Sequence, residues 1–147
     1  VHGSGETLAA SIAAAHENKE PWFGFYWAPT SVLGKYPMTL VEMAPHDPEK
    51  HTCNITADCA TPSMSAFPRS VVVTVLSKEF MSKNSEISNL MTNLSFTNSQ
   101  MGETLAWVED NNASYDEGAV YFLTTYKDVW GSWLNEAARE NLSSLLQ

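Results

Sequence analysis

Residues 69–76 read R-S-V-V-V-T-V-L, and this run decides the fold class. Its apolar β-branched residues follow one another without a polar alternation. Such a run fits a strand buried on both faces, the kind found in a mostly parallel sheet covered by helices. Working upstream, T-L-V-E-M at 39–43 reads as a second strand. W-F-G-F-Y-W at 22–27, bounded by Pro21 and Pro29, reads as a third. The stretch 44–68 is irregular, with Pro45, Pro48, Pro62, Pro68 and both cysteines. A loop of this length inside a compact domain has a function or a staple.

The remaining sequence is helical. Ser4 can cap a helix that carries Leu8, Ile12 and Ala15 on one face and ends near Asn18-Lys19, before Pro21. Its alanines at 9, 10, 13, 14 and 15 suit close packing against a sheet. A short helical turn is expected at 31–36. Downstream, helices are expected near 78–81, over 84–94 and up to Asp110, with Thr97 or Asn98 capping the last of these. Ser114 with Glu117 forms a capping box for the next helix. Val129, Trp130, Trp133 and Leu134 mark a short amphipathic helix, and Asn135 can cap the final one. Helices on a buried sheet place the chain in the α/β class.

Composition narrows the function. The 147 residues carry 8 Lys plus Arg against 17 Asp plus Glu, a net charge of -9. The basic residues are scattered, so no stripe exists to follow a phosphate backbone, and nucleic acid is not an expected partner. The same acidity opposes anionic lipid. No apolar stretch reaches the roughly 18 residues of a membrane span. The opening residues lack the basic start and continuous apolar core of an export signal, so any such signal is expected outside this sequence.

Two local features can carry chemistry. Gly3, Ser4 and Gly5 form a turn running into a helix, where backbone N–H groups can meet an anion such as a carboxylate. The competing reading is an ordinary glycine turn with a serine cap. Trp27 ends the aromatic strand and can offer its face to a cation; it can equally be a core tryptophan. Strand alternation sends Tyr26 and Trp27 to opposite faces and gives Phe25 the parity of Trp27. Thr30 can donate one hydrogen bond to a ligand or cap the short helix that follows. Phe96 can contact a ligand or act as a hydrophobic staple for the next helix. Cys53 and Cys59 sit in C-N-I-T-A-D-C. A local disulfide, implying an oxidising compartment, stands against two separate thiols. His46 and His51 lie nearby, yet the spacing matches no compact zinc pattern. No nucleophile–base grouping or carboxylate pair marks a catalytic centre among His2, His16, His46, His51 and their neighbours, so no enzyme, metal or cofactor is expected.

Several motifs in order carry a family resemblance. G-S-G-E-T-L, F-Y-W-A-P-T and L-G-K-Y-P-M-T-L-V-E are followed by the cysteine loop and V-V-V-T-V-L. The tail L-A-W-V-E-D-N-N-A-S-Y-D-E-G-A-V-Y-F-L and D-V-W-G-S-W-L completes the series. Together they resemble the glycine betaine, proline betaine and choline substrate-binding proteins of ABC transporters. The resemblance implies half of a two-lobed periplasmic-binding-protein type II fold, with a mostly parallel sheet flanked by helices and a helical C-terminal part. It implies the C-terminal half only, with 1–30 as the end of one lobe and 31–147 as the returning part of the other. The implied function is binding of a zwitterionic or cationic quaternary-ammonium solute for an ABC importer. Trp27, Tyr26 and Phe25 would hold the cation; Gly3, Ser4, Gly5 and Thr30 would hold the carboxylate end. The implied partners are the importer's membrane subunits, with a homodimer or swapped assembly also expected from unpaired strand edges. The implied location is periplasmic or otherwise extracytoplasmic, with lipid anchoring or fusion to the transporter left open. The alternative is a non-catalytic interaction or structural module that binds no small ligand.

Overall fold

A computed structural model describes residues 3–146. Val1, His2 and Gln147 lie outside them, and with them the first two positions of the expected opening turn. The described residues hold nine helices and no strand. The α/β expectation is therefore corrected, and so is the half of a two-lobed type II fold with its mostly parallel sheet. The stretches 22–27, 39–43 and 69–76 run free of helix, turn and bend. The reason is physical. β-propensity reports how well a side chain fits a pleated, half-buried surface, but a strand also needs a neighbouring ladder for its N–H and C=O groups. Residues 69–75 make no backbone–backbone hydrogen bond among the described residues.

The chain divides into two compact units: Thr39–Val75, and the chain on either side of it up to Met38 and from Leu76. In the larger unit α1 (Gly5–Asn18) begins at Ser4. There the Thr7 amide donates to Ser4 Oγ at 3.3 Å and the Ser4 amide donates to Thr7 Oγ1 at 3.1 Å. Ile12 and Ala15 are its buried positions. Helix α2 (Ser31–Lys35) packs against α6 (Asn98–Asp110) through two glycines. A Cβ on Gly34 would collide with the carbonyl oxygen of Gly102, so the two backbones touch. Val32 and Ala106 are buried, the Ala106 Cβ stands 3.1 Å from where a Gly34 Cβ would be, and Lys35 Nζ ends the seam with ion pairs to Glu109 at 2.8 Å and Asp110 at 2.6 Å.

Helix α7 (Tyr115–Thr125) lies on the next side of α6. Gly118 admits Val108 there, whose Cγ2 stands 2.5 Å from where a Cβ would be. The Trp107 and Tyr121 rings stack at 4.5 Å. Phe122 is buried and touches the rings of Phe96, Tyr126 and Trp133. Trp130, at the end of α8 (Lys127–Trp130), is 2% exposed and donates its indole N–H to the Leu123 carbonyl at 2.6 Å. The caps at Thr97, Ser114 and Asn135 each accept the backbone N–H three residues on. Helices α4 (Lys78–Lys83), α5 (Ser85–Asn93) and α9 (Glu136–Leu145) complete this unit.

The smaller unit holds α3 (Pro48–Asn54), a helix within the stretch 44–68 that the sequence reads as irregular. Its signal was present: Asp47 accepts the amides of Glu49 and Lys50, with proline in the first turn. Cys53 is disulfide-bonded to Cys59 across a separation of six residues. Asn54 binds both backbone groups of Ser63. The Ala66 amide donates to the Ala44 carbonyl at 2.9 Å, and buried Ser65 binds the Asp47 backbone. The loop is thus closed at its root and stapled beyond it. The two stretches that lead from this root, 39–43 and 69–75, have no such bonds among the described residues.

Candidate functional site

The expected ligand residues fall into two groups. Trp27 lies over the start of α1: its ring carbons come to 3.1 and 3.6 Å of where a Gly5 Cβ would be. Bare glycine is what lets the indole approach the helix start. Trp27 is 49% exposed. Tyr26 stacks on it at 4.5 Å and 26°, and Phe25 stands at 6.5 Å. Strand alternation would have separated Tyr26 from Trp27. With no strand at 22–27 that alternation does not apply, and the two rings meet. Burial first, then the charges of Glu6 and Glu109, hold the Tyr26 phenol above its usual value. Ser4 is engaged by the Thr7 box and by Glu6, whose carboxyl sits below its usual value through the Ser4 hydrogen bond and a backbone bond. Gly3 is exposed and has open space around it. The structure thus gathers Phe25, Tyr26, Trp27, Ser4 and Gly5 at one helix start.

Thr30 belongs to a second place. It precedes α2 but its side chain makes no cap bond. Its hydroxyl oxygen is buried without a hydrogen-bond partner. A cavity of about 190 Å³ lies beside it, between Pro29, Leu33 and Gly34 on one side and Ser99, Gly102 and Glu103 on the other. Glu103 is tied down: Tyr126 donates to it at 2.6 Å and Ser99 at 2.9 Å, and these bonds hold its carboxyl below the usual 4.5. Burial first, and Glu103 second, raise the Tyr126 phenol well above its usual value.

A pH prediction arises from this pair. A depressed carboxyl stabilises the fold fully above about pH 4.5 and loses that contribution as the pH falls through its lower folded value. Tyr126→Phe should cost about 1 kcal/mol at neutral pH, the worth of one partly exposed hydrogen bond to a carboxylate. Thermal unfolding from pH 7 down to pH 3 checks it. The gap between variant and parent should narrow in acid; a constant gap would mean that Tyr126 acts by packing alone.

An apolar groove of about 340 Å³ runs along α6 and α7, between Phe96, Met101, Leu105, Phe122 and Trp133. Phe96 precedes the Thr97 cap, and Met101 follows one turn into α6, the two positions of a hydrophobic staple.

The most exposed apolar surface lies elsewhere. Val71, Val72, Val73 and Val75 are 79%, 96%, 68% and 84% exposed. Leu40, Val41 and Met43 of the neighbouring stretch are exposed as well. The sequence reads 69–76 as a strand buried on both faces and 39–43 as a strand, so neither is expected to be so exposed a surface. Among the described residues no group of three His, Cys, Asp or Glu side chains is placed to hold a metal, and no helix is long and apolar enough to cross a membrane.

Residues 1–125 match the family described as the substrate binding domain of an ABC-type glycine betaine transport system. The match takes in most of the chain, which corrects the expectation that the resemblance concerns a C-terminal half only. The expected capture of a quaternary-ammonium solute is corrected too. That function was to rest on a cleft between two sheet-based lobes, and the described residues provide no sheet to build one.

Proposed function

This chain belongs to the family of substrate binding domains of ABC-type glycine betaine transport systems, and we propose that it serves such a system as a non-catalytic interaction module. The family consists of transport accessory proteins without catalysis, and the chain is no enzyme. The observation that carries the reading is the exposed valine run at 71–75, whose backbone lacks hydrogen bonds among the described residues. Four valines in water forgo roughly 1.5–3 kcal/mol each relative to full burial, and a docking protein edge would recover much of that. A protein partner with a free strand edge can cover such a run; a small solute cannot. An extracytoplasmic location belongs to this reading, and the Cys53–Cys59 bond suits an oxidising compartment.

Calorimetry and hydrogen exchange test it together. Titration of the chain with glycine betaine, proline betaine or choline should give no binding heat, and the amides of 69–75 should exchange fast in the dilute chain. Micromolar binding of any of the three solutes would overturn the proposal.

A further inference from the structure

We infer that His46 and His51 form a zinc site at the root of the loop in the smaller unit, with water filling the remaining positions on the metal. Such a site is independent of the interaction-module reading.

The first support is the distance between the two rings. The ring centres of His46 and His51 stand 5.3 Å apart, with their planes at 67°. Two imidazoles bound at about 2.0 Å to one tetrahedral zinc set their ring centres about 5 Å apart. At adjacent corners of a square-planar ion the same rings would stand closer, at about 4.5 Å. The observed separation therefore suits the tetrahedral ion. Four residues separate the two histidines, within the roughly three to five used by histidine pairs in zinc sites.

The second support is how the rings are held. His46 Nδ1 lies 3.0 Å from the Ala66 carbonyl oxygen. A carbonyl only accepts, so Nδ1 of the neutral ring donates and Nε2 keeps its lone pair. Metal-binding histidines are oriented in the same way, with one ring nitrogen donating to a carbonyl and the other left for the metal. Among the described residues His51 makes ring contacts with His46 and Phe67 and no side-chain hydrogen bond.

The third support is the fixed backbone around the pair. Asp47 caps α3, on which His51 sits, and its own backbone is bound by Ser65. The Ala66-to-Ala44 bond closes the root, and the Cys53–Cys59 bridge begins on the same helix. An ion that need not order the loop avoids that entropic cost of binding. Both cysteines are spent in the disulfide, and among the described residues no third His, Cys, Asp or Glu completes a group with the pair. Two protein ligands leave open positions, so zinc bound here exchanges with the medium. The net charge of -9 draws a dication towards the chain, and the neighbouring cation, Lys50, is paired with Asp47 at 3.2 Å.

Calorimetric titration of the whole chain with zinc chloride, followed in parallel by NMR of the imidazole nitrogens, decides the matter. One zinc per chain should bind, and the ring signals of His46 and His51 should shift together over the same range of zinc concentration. His46→Ala and His51→Ala should each raise the zinc dissociation constant at least about tenfold. His16→Ala is the control: its ring lies against Tyr36 in the larger unit, and its loss should leave zinc affinity unchanged. A parent chain that takes up no zinc overturns the site. So does an equal loss of affinity in the His16 variant, which would mean scattered surface binding. Should an alanine variant disturb the loop, the ring signals of the parent chain decide: a shift at one of the two histidines without the other overturns the pair.

Discussion

Trp130→Ala is expected to lower the unfolding free energy by about 3–5 kcal/mol, the cost of emptying a fully buried aromatic site. Trp130 is 2% exposed and is among the most buried side chains of the fold. Its indole N–H also donates to the Leu123 carbonyl at 2.6 Å, which links the end of α7 to α8. The alanine variant loses the ring contacts and that donor together. Urea unfolding followed by circular dichroism measures it, as a lower midpoint with an unchanged slope. Trp130→Phe should lose clearly less, because a ring still fills most of the space. A loss below about 1 kcal/mol for the alanine variant would show that neighbours collapse into the site and that the residue is not central to the core.

The second large effect concerns two glycines that look equivalent and are not. A Cβ on Gly34 would run into the Gly102 carbonyl oxygen and stand 3.1 Å from the Ala106 Cβ. Backbone cannot step aside as a side chain does, so α2 must lift off α6. Gly34→Ala should therefore destabilise by about 1–3 kcal/mol, the range for overpacking a tight contact. A Cβ on Gly102 meets nothing nearer than 3.5 Å. Gly102→Ala should therefore gain up to about 1 kcal/mol from helix propensity. Denaturation midpoints of the two variants should move in opposite directions. A Gly34→Ala protein as stable as its parent would show that the α2–α6 seam has slack.

What could be read from the residues follows the range of the forces involved. Helix starts were legible because their causes are local. Ser4, Thr97, Ser114 and Asn135 each cap through a bond to an amide three residues away. The start of α3 was equally local, in Asp47 followed by Pro48, but the prolines and cysteines around it pointed to a loop. The valine run was misread because a strand is not a local property. Residues 69–76 have the right side chains, and nothing in their own spacing says whether a neighbouring ladder exists. The same dependence governed the aromatic segment. Without a strand at 22–27, alternation no longer separates Tyr26 from Trp27, and the rings stack. The contact of Trp27 with Gly5 joins positions 22 residues apart, beyond what periodicity can report. Thr30 reads in the sequence as a ligand donor or a cap; its hydroxyl is buried beside a cavity, and the helix it precedes draws no cap bond from it.

The pairing of α2 with α6 also sets a timetable for synthesis. Lys35 and its ion-pair partner Glu109 are 74 residues apart. At a ribosomal pace of roughly 5–20 residues per second, α2 leaves the tunnel about 4–15 s before the end of α6 can reach it. Throughout that interval the bare face of Gly34 has no α6 to cover it, and the valine run emerges while it waits. The nascent chain therefore shows its stickiest surfaces before its main seam can close, so its yield in the cell should respond to holding chaperones.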